Sequence, residues 1–218
     1  STSGFFAKAP LFENWPLEQR GILLAFWRAL FAGLVLMPFI RRPQWSLGLM
    51  PMVLVFALMN YTYLTAMTRT TAANAIWLQN VAPVWVFLIG VFAFGEPVRR
   101  GDWLMVSCGG LGVGLIIVFE AQGQQFSGTL FGVAAGFTYA GVVLCLRQLR
   151  GFDTAWLVAL SLFVTVILLF PSVMCCNVWP AGKQWIYLVA FGAVQMGLPY
   201  FLFARGVRSI AGHEASGI

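Results

Sequence analysis

Residues 72–100 read AANAIWLQNVAPVWVFLIGVFAFGEPVRR. A long, uncharged and mostly apolar stretch is followed there by a Gly-Glu-Pro turn and by the pair Arg99–Arg100. About 20 apolar residues are enough for a helix to cross a bilayer. Because hydrocarbon cannot hydrogen-bond to an exposed backbone, a stretch that crosses it must be helical. Residues 72–94 therefore predict a membrane-spanning helix that ends at a basic turn.

The same arrangement recurs along the chain. Eight of the 13 lysines and arginines form four pairs in every second loop, at Arg41–Arg42, Arg99–Arg100, Arg147–Arg150 and Arg205–Arg208. The loops between them hold only Arg20, Arg69 and Lys183. Loops rich in lysine and arginine resist translocation and stay in the cytoplasm. The alternation predicts a multi-pass protein of the inner (plasma) membrane, with the loops at Arg41, Arg99, Arg147 and Arg205 cytoplasmic.

The composition supports a membrane protein. The chain is 60% hydrophobic and only 9% charged, with a mean hydropathy of +0.84. Its net charge is +6, and most of its basic residues lie in pairs in alternate loops, without the continuous basic patch that nucleic-acid binding requires. The four cysteines lack metal-ligand spacing. We therefore expect no nucleic-acid partner, no metal and no cofactor.

The hydropathy pattern predicts an all-α protein with seven complete helices and two partial ones. The first twelve residues resemble the latter part of a helix, a further helix begins near Ala211, and we expect the chain to be a fragment of a longer protein. The complete spans are predicted at 20–40, 46–67, 72–94, 103–119, 127–147, 155–175 and 184–204. Glycines four residues apart, at Gly128, Gly132 and Gly136 and again at Gly110 and Gly114, predict faces where another helix approaches closely.

An internal repeat is visible at low identity. Residues 66–75 have a faint counterpart at 206–215, and each segment joins an aromatic-rich helix to the next span. The first junction lies on the face poor in basic residues and the second on the rich face. Duplication of an odd number of helices produces such an inversion. The pattern predicts two inverted repeats of five helices.

Four short motifs resemble the EamA-type transporters of the drug/metabolite transporter superfamily. They are Phe26-Trp27-Arg28-Ala29; Ala72-Ala73-Asn74-Ala75 with Pro83; Gly95-Glu96 with Trp103 and Gly112-Val113; and Phe203-Ala204-Arg205-Gly206 with His213-Glu214-Ala215. Met105 departs from the resemblance, since the family usually has glycine there. The resemblance implies a ten-helix architecture, with a first repeat at 1–119 and a second, truncated repeat at 126–218. It also implies export of small metabolites such as amino acids.

Polar residues inside apolar helices are candidates for a substrate site because burying them in a membrane is costly. Lys8 and Arg28 are the strongest, since each could bind an anionic group such as a carboxylate. The alternative is that their side chains snorkel to the interface.

Uncharged polar and aromatic residues complete the predicted site. Asn74, Trp77 and Asn80 are spaced to share one helix face toward a central cavity, whereas Gln79 and Pro83 fall on a different face. Interhelical hydrogen bonding is the alternative role of the amides. The remaining candidates are Asn60, Tyr63, Tyr139, Gln195 and Tyr200 for substrate binding, and Pro83 and Pro199 for helix kinks. His213 and Glu214 are candidates for proton coupling or for capping a helix.

These features predict a secondary transporter that exports amino acids or similar amphipathic metabolites by alternating access. Its partners would be the small-molecule substrate and the lipid bilayer. The alternatives are a non-transporting structural subunit and an intramembrane enzyme, although the sequence has neither His-Glu-x-x-His nor Gly-x-Ser-x-Gly. Substrate identity, transport direction, coupling ion and oligomeric state are left open by the sequence.

Overall fold

The computed structural model describes residues 2–40, 43–95, 100–120, 126–149, 151–199 and 202. Within these ranges every regular element is helical, which confirms the prediction of an all-α protein. The helices are α1 (Thr2–Ala7), α2 (Leu17–Leu36), α3 (Leu49–Arg69), α4 (Ala72–Gln79), α5 (Ala82–Phe94), α6 (Arg100–Glu120), α7 (Phe126–Gln148), α8 (Thr154–Cys176) and α9 (Lys183–Gly192). Short 3-10 turns follow α1 and α2, and a π-helix (Ala193–Gly197) continues α9.

Five of the predicted spans have the length and hydropathy needed to cross a membrane. They are Leu17–Phe39, Leu49–Arg69, Ala72–Phe94, Phe126–Gln148 and Thr154–Cys176. Helix α6 carries a shorter apolar segment, Val106–Phe119, at the predicted span 103–119. Helix α9 begins the predicted span 184–204, and the helix expected from Ala211 lies outside the described residues. The chain is a polytopic helical membrane protein.

Local sequence determines where several helices begin and end. The Thr71 hydroxyl accepts a hydrogen bond from the Asn74 N–H (3.1 Å) and caps the start of α4. The Asp153 carboxylate accepts one from the Ala155 N–H (3.1 Å) and caps α8 in the same way. Gly95 ends α5 with φ of +64°, a left-handed conformation that favours glycine.

Helix α3 is central, packing against α2, α7 and α8. The glycines of α7 permit a close approach to the end of α3 and to α4. A Cβ on Gly128 would lie 2.6 Å from the backbone of Arg69 and Thr70, and one on Gly136 would lie 2.5 Å from the Leu78 carbonyl oxygen. Gly132 faces the Leu78 side chain at 2.6 Å. The predicted small-residue packing of this helix is confirmed.

The corresponding prediction for Gly110 and Gly114 is wrong within the part of the chain that the structure describes. A Cβ on either glycine would meet no atom within 4 Å, because α6 packs through another face. The close contact is at Gly109, where a Cβ would lie 2.5 Å from the Val84 side chain. Small-residue spacing permits close packing but does not specify which helix, if any, will occupy the face.

Two hydrogen bonds show which of the described connections share an end of the bundle. At one end, the Lys8 ammonium donates to the carbonyl of Thr70 (2.7 Å), so the turn after α1 meets the turn after α3. At the other, the Trp156 indole donates to the carbonyl of Gln44 (2.8 Å), joining the loop before α3 to the start of α8. Which of these ends faces the cytoplasm stays a prediction from the distribution of basic pairs.

Candidate functional site

The guanidinium of Arg28 lies inside the bundle. Arg28 is in the middle of α2 and is only 3% exposed. Its Nη1 donates to the Gln195 side-chain oxygen (3.2 Å), and its Nη2 donates to the Asn60 side-chain oxygen. The planar guanidinium can direct two donors to different helices at once. One side chain therefore joins α2, α3 and the π-helix.

Two aromatic rings lie over the same cation. The guanidinium carbon is 5.8 Å from the centre of the Tyr63 ring and 5.4 Å from that of Phe191. A cation within about 6 Å of an aromatic face is attracted by the ring's quadrupole, more strongly where water is excluded. These rings help to stabilise a charge that would otherwise be costly to bury.

Asn60 orients Arg28 and does not line the cavity described below. It is fully buried, and its side-chain nitrogen donates to the Phe56 carbonyl one turn earlier (3.2 Å). That bond fixes the amide so that its oxygen faces the guanidinium. Asn60 on α3 therefore forms an interhelical hydrogen bond with Arg28 on α2, which is the alternative role expected for the amides.

A cavity of about 230 Å³ lies beside Arg28. Its lining comes from α2, α3, the end of α4, α7 and the π-helix, and consists of Arg28, Met59, Tyr63, Gln79, Asn80, Tyr139, Gln195 and Met196. Among the described residues, the side-chain amides of Gln79 and Asn80 form no hydrogen bond with another residue. The cavity thus presents one cation and two amides that can bind a small polar ligand.

The first of two helix interruptions borders this cavity. Helix α4 ends at Gln79, and α5 begins at Ala82, with Pro83 in its first turn. Proline has no N–H and cannot continue the hydrogen-bond ladder of the preceding turn. The amide of Asn80 therefore lies at a break within a stretch that hydropathy alone treats as one span.

The second interruption supplies Gln195. Helix α9 changes to a π-helix at Ala193, and Pro199 follows two residues after the π-helix ends. π-helical turns are rare and occur frequently at functional sites. At Gly192, a Cβ would lie only 2.8 Å from the Arg28 carbonyl oxygen, so the two helices are close enough for Gln195 to reach Arg28.

Several predicted site residues lie away from this cavity. Lys8 contacts Thr70 at the end of α3, and Asn74 lies in the capped first turn of α4. Trp77 is 66% exposed and lines a different, apolar groove beside α6. The role of these three side chains in substrate binding stays a prediction. Tyr200, His213 and Glu214 lie outside the described residues.

Of the three residues expected on one face, Asn74, Trp77 and Asn80, the described cavity lining includes only Asn80. The structure instead places Gln79 and Asn80, two consecutive residues, on the cavity lining. A regular helix would point them about 100° apart. Asn80 still has helical backbone angles and its N–H bonds to the Ile76 carbonyl (2.9 Å), so the two side chains border the cavity from neighbouring directions of the last turn of α4. Met59 and Met196 were also missed, since a methionine in an apolar helix carries no distinguishing signal.

Comparison with known proteins gives concordant results. The model of the EamA-like transporter family matches residues 2–118 and again residues 126–218. An uncharacterized transporter of Archaeoglobus fulgidus is 25% identical over 196 residues, which cover 86% of this chain and 68% of that protein. A crystal structure superimposes with a TM-score of 0.64 over 94% of this chain and 80% of that one. The identity in this superposition is 18%, so it supports the fold alone.

Proposed function

This chain belongs to the EamA-like transporter family, and we propose that it is a secondary transporter that exports amino acids or similar small amphipathic metabolites. In this proposal the cavity beside Arg28 is the central substrate site, and Arg28 binds the anionic group of the substrate. The observation that carries the proposal is a buried cation that faces a cavity and is held by amides from two other helices.

The distribution of charge supports an anionic substrate group. In the described helices the acidic residues occupy the ends, namely Glu18 in α2, Asp102 and Glu120 in α6, with Asp153 capping α8. The two amide oxygens that accept from Arg28 are neutral, so these two contacts do not neutralise the positive potential of the guanidinium. A substrate carboxylate would complement that potential through charge-assisted hydrogen bonds, which are stronger than neutral ones.

Alternating access is the proposed mechanism. Two inverted repeats, at 1–119 and 126–218, would move against each other around a fixed site. Transporters of this design often bind substrate where helices are discontinuous near the bilayer midplane. The interruptions at Asn80 and at the π-helix support this assignment. We expect a gradient of an ion or of the substrate itself to provide the driving force. The protein would lie in the inner membrane, and the loops at Arg41, Arg99, Arg147 and Arg205 would face the cytoplasm.

Counterflow in proteoliposomes tests the proposal. The protein is reconstituted, loaded with unlabelled amino acids, and assayed for uptake of labelled ones from a mixed panel. Arg28→Gln should abolish counterflow because it removes the charge that binds the substrate. The glutamine amide can still form polar contacts with Asn60 and Gln195. Arg28→Lys should retain partial activity, because a lysine keeps the charge but lacks the planar fork.

The matched control is Lys183→Gln, which removes an exposed positive charge at the start of α9. This variant should transport as the parent protein does. Full activity of Arg28→Gln would remove Arg28 from the site. Direction is tested separately in cells, where raised expression should increase the external concentration of the transported amino acid and confer resistance to its toxic analogues.

A further inference from the structure

A second space has one lining residue, Asn80, in common with the polar cavity, at the interruption between α4 and α5. It is an apolar groove of about 470 Å³, about twice the volume of the polar cavity. Its wall is formed by α4 and α5 on one side and α6 on the other, including Trp77, Val81, Pro83, Gly112 and Ile116. Apart from Asn80 and Cys108, its described lining is apolar or aromatic.

Asn80 borders both spaces. Its backbone N–H is bonded to the Ile76 carbonyl (2.9 Å), which holds the residue at the end of α4. Its side-chain amide forms no hydrogen bond with another described residue, so its polar atoms can bind a ligand at this junction. Asn80 is therefore the residue at which a ligand held by Arg28 would pass from the cavity into the groove, which is what the proposal below requires.

We propose that this groove binds the apolar portion of the substrate and selects for its length. The inference rests on the proposed function, since it places the charged end of the same molecule at Arg28. The favoured substrates are small anionic or zwitterionic molecules that carry an extended aliphatic or aromatic side chain. The exposed ring of Trp77 forms one wall, and burial of methylene groups against it and Ile116 provides the binding free energy.

Gly112 leaves the groove open. A Cβ added at Gly112 would meet no described atom within 4 Å, so a larger side chain can enter the groove without a clash. Gly110 lies two residues earlier on the same helix and is equally unobstructed, but it does not line the groove. Gly112→Leu and Gly110→Leu are therefore a matched pair that differ in whether the new side chain fills the groove.

The experiment measures binding of a homologous series to the purified full chain by titration calorimetry. The probes are alanine, norvaline, norleucine and 2-aminooctanoate, which differ only in the length of an unbranched side chain. In the parent protein, affinity should rise about fourfold for each methylene that enters the groove. Gly112→Leu should abolish this rise and leave alanine binding within about twofold, whereas Gly110→Leu should preserve the whole series.

A second variant guards against misfolding of Gly112→Leu. Ile116→Ala removes apolar surface from the groove wall and should weaken binding of 2-aminooctanoate relative to norvaline. A parent protein that binds alanine but shows no dependence on length would overturn the groove proposal and leave the proposed function intact. Failure of every probe, alanine included, would overturn both. Equal loss of alanine and norleucine binding in Gly112→Leu would show that the groove packs against protein and would also overturn the proposal.

Discussion

Replacing Gly136 by alanine perturbs the contact that positions α4 beside the cavity. The added Cβ would lie 2.5 Å from the Leu78 carbonyl oxygen, and the nearest side-chain atom, Trp85 Nε1, is 3.6 Å away. A carbon and a carbonyl oxygen ordinarily approach to about 3.3–3.6 Å. Helices α7 and α4 must therefore separate by about 1 Å. Tyr139, one turn along α7, would move away from Asn80 with them.

The expected loss in the free energy of unfolding for Gly136→Ala follows from the kind of contact that the added Cβ would disturb. Overpacking a close helix interface costs about 1–3 kcal/mol. Alanine also favours a helix over glycine by about 1 kcal/mol, which would mask part of the loss. Gly110→Ala measures that gain alone, because its Cβ would meet no described atom within 4 Å. The difference between the two variants should therefore be about 1–3 kcal/mol in the free energy of unfolding.

Thermal unfolding of the detergent-purified variants measures this difference. At about 2–4 °C per kcal/mol for a chain of this size, Gly136→Ala should melt about 2–12 °C below Gly110→Ala. Counterflow by Gly136→Ala should also decrease, since Asn80 and Tyr139 line the same cavity. If the two variants melt at the same temperature, α7 does not approach the Leu78 carbonyl as described.

Two further predictions concern the helix break and the topology. Pro83→Ala restores a backbone donor in the first turn of α5, and it should slow counterflow about tenfold, equivalent to about 1.4 kcal/mol, without lowering the melting temperature. The control is Pro51→Ala, which makes the same change in the first turn of α3. Equal effects of the two substitutions on counterflow would argue against a specific role for the break between α4 and α5. In a background without the four native cysteines, Lys183→Cys should react with an impermeant maleimide added outside cells, and Gln148→Cys should react only after permeabilisation. The reverse labelling pattern would invert the proposed orientation.

The positions of the membrane-spanning helices were predictable from the sequence because bilayer thickness and the residues at the helix ends largely determine them. The predicted stretch 72–94 coincides with α4 and α5 together, and 155–175 differs from α8 by one residue at each end. Bilayer thickness sets the length, and charged or capping residues such as Asp153 mark the ends. The interruption at Asn80 was not visible in hydropathy, since α4 and α5 are both apolar.

The site was predictable as a set of residues but not as an arrangement. Arg28, Asn60 and Gln195 each stood out as polar residues within apolar helices. Their mutual contact depends on how α2, α3 and the π-helix cross, and on Gly192 allowing α9 to approach α2. Helical spacing in one segment contains no information about that crossing. Gln79 lies within α4 and about 100° around the helix from Asn80, so helical spacing alone cannot show that both side chains border one cavity.

The central claim is that Arg28 binds the anionic group of the substrate, and a charge-matched ligand pair tests it most directly. Binding of a transported amino acid and of its carboxamide is compared in the parent protein and in Arg28→Gln. A hydrogen bond to a charged group contributes about 1.5–3 kcal/mol, so the parent should prefer the carboxylate about 10- to 150-fold. Arg28→Gln should bind the two ligands with nearly equal affinity. The same preference for the carboxylate in both proteins would contradict the account.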